Sequence, residues 1–357
     1  MHHTSARGAI SGLLNGSGFG ERGLALVTAA SLGDADQSAV RLRAAELPCE
    51  RTISYSGELL FAPIPLDERQ LCQQLFPAII DQPCAIGLQL ACLSALVDLW
   101  PHVGSSERSV MRNRFLDGLV SQPAEPPDAI VTSQQLCAWQ RDLPTTIGDI
   151  TPSVSSLRAM LLEPQAKGAN HVLAEHLGMR ADIGTLSWAL GALSVQLRLQ
   201  FHDPQRRILH LLLGTVACER LAPHAEPEHL LTLVAQLAHQ LWWCRHLAAL
   251  PPVRTCIDCA LPRSLADGVA SGDLTVAQRA ARAAAKQPGD FWHSVWQLLE
   301  ERIAHGDGSW TQALHIAVAT ASRTSSDAVS PDDAAALGTV FADLAYREKT
   351  TPELAAR

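Results

Sequence analysis

The sequence predicts a mainly α protein: a single large domain of antiparallel helices, divisible into two lobes, with little or no β structure. Two observations carry this expectation. Apolar residues recur at helical spacing through nearly the whole chain, and segments alternating apolar and polar residues are almost absent. A third sets the scale, since 357 residues with 47% hydrophobic content suffice to fill one large core.

In chain order, the helical spacing marks 24–32, 38–47, 69–79, 84–100 and 108–120, then 153–162, 171–178, 185–201, 205–222 and 227–249, and finally 274–286, 291–304, 310–322 and 331–346. Start signals support some of these. Asp203-Pro204 sets a capping carboxylate before a proline, and Pro331-Asp332-Asp333 places proline and two acids in a first turn. The stretch "RTISYSGELLFAPIP" at 51–65 alternates briefly and then meets two prolines, so an extended loop or short ribbon is expected. Proline-rich breaks at 122–128 ("QPAEPPD"), 223–227 and 250–263 ("LPPVRTCIDCALPR") separate helical runs, and the first and last are the expected lobe boundaries. No repeat of fixed period occurs.

Composition narrows the partners. The formal net charge is −8, and no run of basic residues could neutralise a phosphate backbone, so nucleic acid is not an expected partner. Lysine chemistry is confined to Lys167, Lys286 and Lys349. The first eighteen residues lack the charged and apolar regions of a secretory signal. No apolar run approaches the roughly 20 residues that span a bilayer, so no membrane association is expected. The nine cysteines sit mostly in apolar segments and read as buried thiols of a cytoplasmic protein.

Three patterns invite chemical readings. Gly18-x-Gly20-x-x-Gly23 in "NGSGFGERG" has dinucleotide-loop spacing, but such a loop needs a preceding strand and a parallel sheet. With strands scarce, a turn before a helix is the better reading. Cys256 and Cys259 in "CIDC" have dithiol spacing without a second half-site or thioredoxin-like context, so they read as loop thiols. Histidines lie within apolar helices at 171, 176, 210, 239, 246 and 315. At about 100° per residue, His239 and His246 fall on one helix face, and Lys167, His171 and Glu175 would line a polar stripe if that helix begins before Gly168. A single buried histidine is ordinarily a hydrogen-bonded core residue, and only convergence from several helices makes a site. Trp242 and Trp243 follow His239 on a strongly apolar helix; such indoles are usually core, yet they would also wall a pocket for a planar aromatic ligand. Neither a Gly-x-Ser-x-Gly elbow nor a His-Glu-x-x-His helix is present.

Four segments in order resemble the questin oxidase family: "GERGLALVTAASLGDADQSAVRLRAAELP" (20–48), "PAIIDQPCAIGLQLACLSALVDL" (77–99), "ILHLLLGTVACERLAPHAEPEHLLTLVAQLAHQLWW" (208–243) and "FWHSVWQLLEERIAHGDGSWTQALHIAVATA" (291–321). The resemblance implies a helical protein acting on an aromatic or polyketide metabolite by oxidative tailoring or ring cleavage. It also implies histidine-bound iron, with NADPH as a reductant. Measured against it, this chain has Glu21-Arg22 where Asn-His stands, Ile86-Gly87 where His-Gly stands, and Asp307-Gly308-Ser309 with Ala313 in place of the Asp-x-His-x-x-Lys segment. His210 alone is retained, so the iron ligand set is incomplete. The candidate catalytic residues are His210, His315 and Asp307, and the candidate pocket residues are His171, Glu175, His239, Trp242 and Trp243, grouped around an apolar cavity expected near the 205–250 helices. With the ligands lost, the chemistry would be metal-free, or the chain a binding or accessory protein that keeps only the fold.

Overall fold

The computed structural model describes residues 3–17, 19–20, 54–81, 85–121, 207–249 and 262–286, with single positions within 23–27, 190–201, 291–298 and 335–342. The helices expected at 38–47, 153–162, 171–178 and 310–322, the break at 122–128 and the capping pairs at 203–204 and 331–333 lie outside the described residues.

The fold is mainly α, and the β structure among the described residues is one isolated bridge between Phe201 and Ala249. The first helix, α1 (His3–Gly12), lies where no helix was expected. Ala6, Ala9, Ile10 and Leu13 follow at i, i+3, i+4 and i+7 and are all buried, a helical stripe that the intervening glycines disguise. A π-helical turn, Leu13–Ser17, ends it.

The segment expected at 51–65 to be an extended loop or short ribbon is described from residue 54, and contains a 3₁₀ turn, Glu58–Phe61, flanked by extended residues. Next comes α2 (Glu68–Asp81), capped by the Asp67 carboxylate, which accepts from the Gln70 N–H at 2.8 Å. Its buried stripe is Leu71, Cys72, Leu75, Phe76 and Ile79. The core helix α3 (Ile86–Leu99) is buried on nearly every face. A helix apolar all round belongs at the centre of a fold. In α4 (Ser105–Ser121), Glu107 reaches back to accept from the Gly104 N–H at 3.1 Å, half of a capping box.

The second half supplies α5 (Arg207–Leu221) and α6 (Pro227–Trp243), joined by a short connection with Pro227 in the first turn, as the break at 223–227 predicts. The single helix expected over 227–249 instead stops at Trp243 and tightens into a 3₁₀ turn, Cys244–His246, closed by a Leu247 N–H bond to the Cys244 carbonyl at 3.0 Å. Farther on, α7 (Leu265–Ala270) and α8 (Leu274–Ala284) begin with Ser264 and Asp273, whose side chains accept from Asp267 N–H and Val276 N–H. Leu274, Ala277 and Ala342 form a small apolar cluster of their own.

Helices α3 and α5 depart from the expected antiparallel arrangement. The start of α3 lies against the first half of α5: a Cβ on Gly214 would stand 2.6 Å from the Gly87 Cα, and one on Gly87 would run into the His210 carbonyl. At their ends, Arg220 pairs with Asp98 at 2.7 Å. Moving from Gly87 to Asp98 along α3 thus moves from 210–214 to Arg220 along α5, so the two helices are parallel. Likewise Gln73 near the start of α2 bonds Glu226 at the start of α6, and Phe76 faces His229. The core is therefore two helical hairpins, α2–α3 and α5–α6, packed with like directions side by side.

Candidate functional site

The start of α5 and the end of α6 form one end of their hairpin, where imidazole, indole and guanidinium groups gather. Arg207 opens α5, and its guanidinium carbon lies 5.3 Å from the centroid of the Trp243 ring. One turn later comes half-buried His210, whose backbone lies against Gly87 at the start of α3. The residue before that start, Ala85, has φ 46°, a left-handed conformation unfavourable for alanine, and gives α3 no side-chain cap.

Trp242 is surrounded by its own segment. The His239 ring stacks on it at 5.5 Å and 22°, the His246 ring meets it edge-on at 5.7 Å and 80°, and the Arg245 guanidinium lies 4.1 Å from its centroid. The prediction that His239 and His246 share a face thus holds in effect although the helix ends between them, because the 3₁₀ turn keeps His246 on the Trp242 side. Trp243 diverges, taking Arg207 and, at 6.4 Å, the His246 ring. The two adjacent indoles are separate surfaces, and Trp242 is largely covered.

Sequence reasoning missed a row of amides and a hydroxyl on α6. Thr232, Gln236 and Gln240 repeat at i, i+4 and i+8 and are buried, in a helix otherwise lined by leucine, valine and alanine. Gln240 is 4% exposed, and its Nε2 has no hydrogen-bond partner among the described residues; neither has the buried Trp242 Nε1. An unpaired buried donor costs roughly 1–3 kcal/mol. The i, i+4, i+8 spacing of polar residues in an apolar helix is the signal that could have found this row.

His210, His239, Trp242 and Trp243 are thus placed at one end of the α5–α6 hairpin, whereas His171, Glu175, Asp307 and His315 lie outside the described residues. The apolar cavity expected near the 205–250 helices has no room where α5 meets α3, since Gly87 and Gly214 bring the two backbones into contact. A cavity of about 10 Å³ lies elsewhere, lined by Phe19, Leu88, Gln89, Cys92, Phe115, Gly118 and Leu119. That is space for about one water molecule.

The glycine-rich stretch is part of that inner wall. Phe19 is buried edge-on against Phe115 at 5.7 Å, the Phe19 carbonyl sits where a Cβ on Gly118 would be, and the Gly20 carbonyl accepts from the Leu24 N–H at 2.9 Å. Residues 6–13 upstream are helix, not strand, so the loop lacks the scaffold of a phosphate cradle. Burial pushes the Cys72 and Cys218 thiols up to about 12, which makes them packing groups, not nucleophiles.

Iron does not fit the donors present at the α3–α5 junction. Ile86, standing where the resemblance would place a histidine, is fully buried hydrocarbon, and the His210 backbone lies against its neighbour Gly87. Among the described residues no three His, Cys, Asp or Glu side chains converge as a metal site would require. Nor is any described helix long and apolar enough to cross a membrane. Compared with protein-family models, curated proteins and solved structures, the chain matches none.

Proposed function

We propose that this chain is a divergent questin-oxidase-like protein that takes an aromatic, polyketide-type metabolite at the α5–α6 end, with oxidative tailoring or ring cleavage the reaction class that the resemblance carries. The observation behind this reading is the cluster of imidazole, indole and guanidinium groups at the end of α6, beside the helix that bears His210. Flat π surfaces next to hydrogen-bond donors suit a planar oxygenated ring. An imidazole one turn into α5 can take or give a proton on such a ring, which makes His210 the acid/base residue of the proposal.

Ile86 favours a second reading, in which the chain has lost the ligand set and binds the metabolite without oxidising it, or acts as an accessory subunit. Turnover assays separate the two. Consumption of a hydroxylated anthraquinone by the purified chain, lost in a folded His210→Ala variant, supports the oxidative reading. Tight binding of the anthraquinone without turnover supports the second. Failure to bind the anthraquinone at all sinks both.

A further inference from the structure

We draw no further inference here: the strongest candidate, the cavity of about 10 Å³ that Phe19, Gln89, Cys92 and Phe115 line inside the core, has room for about one water molecule, and its two polar side chains, Gln89 and Cys92, already have partners in the Leu119 and Gly20 carbonyls.

Discussion

Gly87 and Gly214 let the α3 and α5 backbones touch, and alanine at position 87 would push its methyl into the His210 carbonyl, which belongs to helix backbone and cannot rotate away. Gly87→Ala is expected to cost about 1–3 kcal/mol or more in a urea titration, with the helical signal retained below the transition. The buried thiols make a chemical prediction at the same scale. With Cys72 and Cys218 pushed up to about 12, the native protein at pH 8 is expected to leave both unalkylated by iodoacetamide, on the order of a thousandfold slower than in denaturant. Because these values are raised in the fold, the burial carries no penalty below the unfolded thiol value of about 8.5 and destabilises progressively as pH rises above it. The thiols were legible in the sequence, since they sit in apolar runs. Gly87 was legible only as a glycine, because the partner that demands it lies on another helix.

Individual elements show where one-dimensional reading stops. The start of α6 announced itself locally through Pro227 in the break at 223–227, because a helix start depends on residues within one turn. The strap at 54–66 did not, because its form is set by α4. Arg112, 0% exposed, donates from its guanidinium to the carbonyls of Leu60, Ala62 and Pro63 at 3.1, 2.9 and 3.3 Å, and Asp117 accepts from the Tyr55 N–H. Arg112→Met removes donors from three backbone acceptors. It is expected to destabilise by about 1–3 kcal/mol and to open the strap to limited proteolysis between 58 and 66 before the rest of the chain. Arg112→Lys should recover only part of the loss, since a point donor cannot span three carbonyls. At the other end of the molecule, the α6 row of Thr232, Gln236 and Gln240 escaped notice because each residue is unremarkable alone and becomes informative only once that row is seen to be buried.

At the level of the whole molecule, the all-helical class was readable because burial periodicity is a local property, while the like-direction pairing of two hairpins was not, because it is decided by contacts between distant segments. Some of those contacts are ionic and titrate. The Arg7 guanidinium, bonding at 2.6 Å, holds the Glu107 carboxyl below its ordinary value and ties α1 to α4; the Gln73 amide and Arg69 do the same for Glu226 between α2 and α6. Depressed carboxyl values stabilise above the unfolded value of about 4.3 and lose that contribution as pH falls through the folded value. The urea midpoint is therefore expected to drop below about pH 4.3, and to drop less in Arg7→Gln, Arg69→Gln chains. The α3–α5 pairing has a further consequence during synthesis. Asp98 and Arg220 are separated by 122 residues, so the apolar helix α3 leaves the ribosome well before the length of chain that must cover it has been translated. Until then α3 is an aggregation hazard, and nascent chains truncated between the two helices are the species that chaperones should be found to hold.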